Sequence, residues 1–420
     1  MRRIAVVLSA AALAVPAAAS ASTVLVLDPS GVSADHPAAL GPPDPGPRHA
    51  APASAGATAA AAPLRRALSR LLATKAINRA TFDRDVGIWN DAQRTLRRLK
   101  GTRFTQLRGV LAIADGIAAR GLLTAGRLPS VLLTVARNRQ WWGCGSVIGF
   151  GQRVRFAGSR LLFAAYPGYG IQIQWLGTFG FANGLFQSKD HDPDLSALVD
   201  ELSPLAAPRA GGIAWEYLFP FDGGSPPWVS GLAQGTAIQA LSRAAARLKR
   251  PELFATARSA LGIFRAPPPA GVRDATKAGA HYLQYSFAPH LHVYNGFIQS
   301  LNGLFDFAKF ANDDGARALF DAGVAEARLE VRASDTGSWS YYSSQRDQST
   351  SDYHKLYRQF LIGLCERTSI PVFCTTADRF LADLRKREGS GPHKQVNTQP
   401  AKRNPLPPLA RCTPAGIASA

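Results

Sequence analysis

The chain has 420 residues, of which 46% are hydrophobic and 18% charged, so it can bury a large core and does not need disulfide staples to fold. A mean hydropathy near zero places it among globular chains, and no segment after the N-terminus is long and apolar enough to span a bilayer. A formal charge of +19 favours polyanionic partners without naming one, because an arginine-preferring genome would leave the same excess.

The start, MRRIAVVLSAAALAVPAAASAS, has an arginine pair, an apolar run broken at Pro16, and Ala19-Ser20-Ala21 as a small-residue cleavage site. It reads as a secretory signal peptide over residues 1–21, whose removal leaves a charge of about +17 and places the mature chain outside the cell or in the envelope. An uncleaved anchor is the alternative, but the run is short and Ala-rich for a span of about 20 strongly apolar residues. In that setting the polyanions to expect are acidic polysaccharides and envelope polymers rather than nucleic acid, with no stable membrane insertion after cleavage. Residues 22–63, with DHPAALGPPDPGPRHAAPASAG, and the basic tail 388–420 hold few large apolar residues and are predicted to be disordered.

Between them, residues 64–387 open on helical patterns. Asp91–Leu99 and Gly109–Arg120 have three-four apolar spacing, and LPSVLLTVARNRQWW is a helix opened by Pro129. From 152 to 176 the texture becomes alternating, at Val154/Phe156, Leu161/Phe163 and Ile171/Ile173/Trp175, with turns at Gly158 and Pro167-Gly168, which predicts a small antiparallel β-hairpin or meander. Helices then return: Ser230–Lys249 carries Gly and Ala at close-packing positions, and Tyr294–Phe310 is apolar around most of its circumference. Alternating buried and amphipathic helices predict a mainly α fold, an α/α toroid built as an incomplete ring of helical hairpins. Such rings often bind glycans, by fold-level analogy.

The four cysteines predict two disulfides in an exported chain. Cys365 and Cys374 flank ERTSIPVF, where a local bridge is sterically easy, and elimination leaves Cys144 with Cys412.

Three connecting segments are polar and aromatic. Gly211–Gly235 holds Trp215, Glu216, Tyr217, Asp222 and Trp228, and rings beside carboxylates suit sugars, although the same rings can serve only to pack the loop. His281–Phe297 holds Tyr282, Tyr285, His290, His292 and Asn295; two alternating histidines without a third ligand do not predict a metal site. Ser338–Leu364 places Tyr341 and Tyr342 before a polar loop and Tyr353-His354 after it, where Ser351 or Asp352 can cap a helix whose apolar face runs from Tyr353 to Leu364.

The order PPWVSGLAQGTAIQAL, VYNGFIQSLNGLFDF, DTGSWSYYS and SDYH resembles the C-terminal catalytic domain of the D-glucuronyl C5-epimerases, over about Tyr166–Leu384. The resemblance implies a helical toroid and a cofactor-independent inversion of C5 in uronate residues of a polysaccharide, and the histidine pattern adds no metal site. It maps the family's catalytic tyrosines onto Tyr342, Tyr353 and Tyr285, while the glutamate of the family's Glu-Glu-Tyr motif falls on Gln284. It also puts Gln234, Asn295 and His354 inside matching motifs, as groups that bind substrate or fix loops.

Inverting C5 removes a proton next to a carboxylate and returns one to the opposite face, so it needs two acid/base groups and cationic or hydrogen-bonding groups at the carboxylate. Tyrosine can serve if its pKa falls well below about 10. Glutamine cannot accept the proton, so Glu216, Asp222 or a phenolate is the candidate base. Arg346 is either a carboxylate partner or a solvated loop arginine. Trp228, Gln284 and Asn295 complete the candidate substrate contacts. A uronate lyase, which shares the first proton transfer, and a non-catalytic acidic-glycan-binding protein remain open.

Overall fold

The computed structural model describes residues 23–35, 37, 63–188 and 190–388. The predicted signal peptide, most of the predicted linker and the tail after Glu388 lie outside the described residues.

The first described elements correct the expectation that residues 22–63 are disordered throughout. Strands β1 (Val24–Asp28) and β2 (Gly31–Asp35) form an antiparallel hairpin, closed by an Asp28 carboxylate that accepts from the Ser30 and Gly31 amides at 2.7 and 2.9 Å. The cause is the Val-Leu-Val-Leu stretch at 24–27, which buries Val24 and Leu27 by pairing β1 in parallel with a strand some 130 residues later. That strand, β3 (Arg153–Phe156), continues antiparallel into β4 (Phe163–Tyr166) and β5 (Gly170–Ile173), giving the order β2-β1-β3-β4-β5. The predicted meander at 152–176 is therefore part of a larger, mixed sheet.

Helices α1 (Pro63–Ala73), α2 (Arg79–Leu96), α3 (Gly101–Ala119) and α4 (Leu128–Cys144) pack on one another around Leu64, Leu68, Trp89, Val110 and Val131. Asn78 caps α2 through the Thr81 amide at 2.8 Å, and Pro129 sits in the first turn of α4, where its missing N–H costs nothing.

The rest of the chain is a succession of helical hairpins. Helices α5 (Trp175–Gln187) and α6 (Asp192–Leu202) lead through the short pair β6 (Ala207–Arg209) and β7 (Gly212–Ala214) to α7 (Gly231–Leu248), α8 (Glu252–Ser259) and α9 (Gly262–Arg265). A second short pair, β8 (Arg273–Ala275) and β9 (Ala280–Tyr282), precedes α10 (Tyr294–Phe310), α11 (Asp314–Ala333), α12 (Ser351–Thr368) and α13 (Pro371–Glu388). Each of α5–α6, α7–α8, α10–α11 and α12–α13 packs as a pair, and α5, α7, α10 and α12 touch in a continuous row. The molecule is thus mainly helical with small sheets.

Small residues set the closest approach in that row. A Cβ on Gly303 would stand 2.0 Å from the Gly235 carbonyl oxygen, so α7 and α10 meet backbone to backbone and neither glycine can be enlarged. Below this contact Asp306 of α10 is buried between Arg243 of α7 and Arg367 of α12, at 2.8 and 2.7 Å, and also accepts from Gln239 at 2.9 Å. Cys365 and Cys374 are joined by the expected local disulfide, which ties the end of α12 to α13. Cys144 is also disulfide-bonded, and its expected partner Cys412 lies outside the described residues. Among the described residues no helix is long and apolar enough to cross a membrane.

Candidate active site

A narrow cavity, with about 10 Å³ of space for the centre of a water-sized sphere, lies where the segment before α7 meets Gln284 and Tyr285. Its lining is aromatic and uncharged: Tyr217, Phe219, Phe221, Trp228, Ser230, Gln284 and Tyr285. The wall is built by the segment before α7. Tyr217 and Trp228 exchange backbone hydrogen bonds, which stacks their rings at 4.3 Å and 14°, and the Trp228 indole N–H donates to the Phe219 carbonyl at 2.8 Å. Phe221 and Trp228 reach the Tyr285 ring at 5.7 and 5.9 Å. Such edge and offset contacts hold the rings rigid.

The polar end centres on Gln284. Its amide N–H group donates to the Tyr285 hydroxyl at 2.8 Å and lies 3.4 Å from that of Tyr342, the long end of a hydrogen bond. The amide fits because residue 296 is glycine: a Cβ there would come within 2.5 Å of the Gln284 Oε1. That oxygen is buried and has no partner among the described residues. Tyr353 packs its ring on Tyr342, with centroids 5.2 Å apart. Two of the tyrosines singled out in sequence therefore meet at one glutamine, and the third joins them through the Tyr342 ring.

Tyr342 is placed by a small network of backbone bonds. Its carbonyl accepts from the Tyr294 amide at 3.1 Å, its N–H donates to the Asp347 carbonyl at 2.6 Å, and the neighbouring Ser344 amide donates to the His292 carbonyl at 2.9 Å. Tyr353 starts α12, and its amide is capped by Thr350 rather than by Ser351 or Asp352.

Three helix N-termini bound the site. Ser230, on the cavity wall, is the N-cap of α7; Gly296 in the first turn of α10 lies against Gln284; and Tyr353 is in the first turn of α12. Helix N-termini carry roughly half a positive charge each, which favours an anion in a cavity otherwise without charged lining.

Several expected site residues do other work. Glu216 is not a free base: Arg127 grips its carboxylate at 2.6 and 2.9 Å and Arg209 adds a third bond at 2.8 Å, with only 2% of the side chain exposed. Its carboxylate oxygens are taken up by the two guanidiniums, and it does not line the cavity. Gln234 is fully buried and exchanges hydrogen bonds with the Trp215 backbone, and so fixes the wall rather than touching a ligand. His354 is buried with its ring on Trp339 at 3.8 Å, Nδ1 on the Ser340 hydroxyl at 2.8 Å and Nε2 on the Phe380 carbonyl at 3.1 Å. Burial pushes its pKa down, so it is a neutral loop anchor.

Asn295 is buried, its side-chain oxygen taken by the Gly296 amide at 2.9 Å. Asp222 is half-buried at a tight turn with φ 46°, next to Phe221 of the wall. Arg346, with φ 64°, is exposed, and its charge opposes the burial that raises the Tyr294 hydroxyl to about 12. Tyr341 is half-buried, and Tyr357 is a packed residue bonded to the Ser334 hydroxyl at 2.9 Å.

Sequence reasoning missed a chain of paired acids and histidines, half of it buried, next to the Tyr342 loop. His292 lies between Glu330 of α11, 2.7 Å from Nδ1, and Asp274 of β8, 2.8 Å from Nε2. His281 of β9 stacks on His292 at 3.9 Å and adds a 2.8 Å bond from Nδ1 to Glu330. Burial opposes charge on His292, but its hydrogen bonds to the two carboxylates outweigh it and raise the pKa to about 9. Burial likewise works against the Glu330 anion, yet the two histidines hold its pKa at about 2. Burial depresses His281.

His281, His292 and Glu330 bring ligand atoms within 4.8 Å of one another. However, the Nδ1–oxygen separations are shorter than the roughly 3.3 Å between ligands of a tetrahedral zinc, so the geometry is that of shared protons. The only sequence signal was the alternation of His290 and His292, of which His292 is in the network and His290 is exposed.

The comparisons fall on this half of the chain. Residues 211–382 match the family model for the D-glucuronyl C5-epimerase C-terminus. A D-glucuronyl C5-epimerase of Caenorhabditis elegans is 29% identical over 176 residues, which is 37% of this chain and 29% of that protein. The chain thus spans less than a third of the length of the curated relative it matches.

Proposed function

Residues 211–382 belong to the D-glucuronyl C5-epimerase C-terminal family, and from that premise we propose that the chain inverts C5 of uronate residues within an acidic polysaccharide. The observation that carries this reading is the meeting of Tyr285 and Tyr342 at Gln284, with Tyr353 packed on Tyr342, beside an uncharged aromatic cavity.

In this reading the sugar lies against the aromatic wall with its carboxylate toward the N-termini of α7, α10 and α12, which offset the charge that builds as the C5 proton leaves. Gln284 does not take that proton. Its N–H donors favour the ionised form of the phenols they touch, so one tyrosine acts as phenolate base and another, across the ring, returns a proton to the opposite face. Arg346, whose charge is felt at Tyr294, is the loop cation that adds to this balance. The contacting row α5-α7-α10-α12, with its outer partners, supports an incomplete α/α toroid. The N-terminal sequence supports export, where uronate polymers are met.

Incubation with uronate polymers in deuterated water tests the proposal. Deuterium at C5 with inverted residues is the expected result. Unsaturated, ultraviolet-absorbing ends would make the chain a lyase, and polymer binding with neither product would make it a glycan-binding protein.

A further inference from the structure

The cleft does not account for where the chain carries its charge. Residues 63–144, which form α1–α4, hold 16 Lys and Arg against 4 Asp, a net +12 of the formal +19, and lie outside the family match. From Ala92 to Ile113 there are six cations and no acid: Arg94, Arg97, Arg98, Lys100, Arg103 and Arg108.

Arginine-rich codon usage would scatter cations evenly, whereas residues 92–113 carry six cations with no acid among them. In the rest of the fold some surface arginines pair with acids, as in Arg160–Asp194 at 2.8 Å, Arg250–Asp200 at 2.7 Å and Arg258–Asp313 at 2.7 Å, and exposed arginines without an ion pair among the described residues, such as Arg317, Arg328 and Arg332, lie among the acids of α11. Exposed Arg97, Arg98, Lys100 and Arg108 make no ion pair among the described residues. Arg94 has only a 3.4 Å contact to Asp91, which Arg139 already holds at 2.7 Å.

The arrangement is a track. Lys100, Phe104 and Arg108 recur every four residues along α3 over about 12 Å, and the Arg108 guanidinium sits 5.2 Å from the Phe104 ring centre. Beside Arg108, Gly109 abuts the Gly168 carbonyl, and Gln106 accepts from the Gly168 and Gly170 amides at 3.0 and 2.9 Å. Tyr169 in that same turn approaches Phe219 at 6.5 Å, and Phe219 lines the cavity. An extended chain leaving the cavity across the Tyr169 turn therefore meets Arg108 first, then Lys100 and the Arg97-Arg98 pair.

We propose that Arg97, Arg98, Lys100 and Arg108 form a second binding surface, for the stretch of anionic polysaccharide beyond the residue held in the cleft. Naming uronate polymer as the ligand rests on the functional reading above; the surface itself rests on exposure and charge.

The test is salt elution of the full chain from an immobilised polyuronate column, with a solution titration of the same polymer and of a short oligouronate. The triple variant Arg97→Glu, Arg98→Glu, Arg108→Glu is expected to elute at lower salt and to lose at least tenfold in affinity for the polymer, with oligouronate affinity unchanged within twofold. The neutral Arg97→Gln, Arg98→Gln, Arg108→Gln variant shows the same trend if the reversed one does not fold. Co-elution of both triple variants with wild type overturns the proposal, as does a loss confined to duplex DNA. Because elution reads binding alone, absence of C5 exchange would count against the cleft reading and leave this surface standing.

Discussion

Replacing His292 with glutamine removes the cation held between Glu330 and Asp274, and the structure sets both the size and the pH window of the effect. A pKa raised from 6.5 to about 9 corresponds to roughly 3 kcal/mol favouring the protonated, folded form. Because the folded-state value is raised, this contribution is complete below about pH 6.5 and is lost as pH climbs toward 9. The Glu330 pKa of about 2 describes the same pairing from its other end, so the two are not summed; that side is complete above about pH 4.5 and is lost toward pH 2. Denaturant unfolding of wild type from pH 6 to 9.5 is therefore expected to show a decline of about 2–3 kcal/mol. His292→Gln starts lower and stays flat across the same range. A flat wild-type profile, or an equal decline in the variant, would refute the assignment of His292 as a buried imidazolium.

The remaining predictions concern the other buried charges. Glu216→Gln leaves Arg127 and Arg209 short of a counter-charge and is expected to cost about 3–5 kcal/mol in denaturant unfolding, while C5 exchange per folded molecule changes less than about threefold. A well-folded Glu216→Gln protein with exchange down a hundredfold would instead make Glu216 the base. Asp306→Asn, which weakens the joint among α7, α10 and α12, is expected to lower the unfolding midpoint by an equivalent of about 3 kcal/mol without a new transition.

What was legible in the sequence is what neighbours in the chain decide. Helix α7 showed its close-packing glycines, α10 its all-round apolar surface, and Cys365 and Cys374 their local bridge. What failed depended on distant partners. Val24–Leu27 lies in a segment with few large apolar residues, and it is ordered because the distant β3 supplies its edge. Glu216 looked like a loop carboxylate because Arg127, its main partner, lies 89 residues away. His354 sat in a promising motif, yet Trp339, Ser340 and Phe380 use its whole ring. Glu330 shows in sequence as an ordinary amphipathic-helix acid, and only the fold brings His281 and His292 onto it. The tyrosine trio came from motif order rather than composition, and the structure adds what the motif lacked, a glutamine amide positioned between two of the phenols.

That geometry makes one measurement decisive. The rate of deuterium incorporation at C5 of a bound uronate polymer should fall about 10²–10⁴-fold in Tyr342→Phe, with polymer affinity changed less than about threefold. Exchange at the wild-type rate in Tyr342→Phe would contradict the assignment of proton transfer to the tyrosines around Gln284.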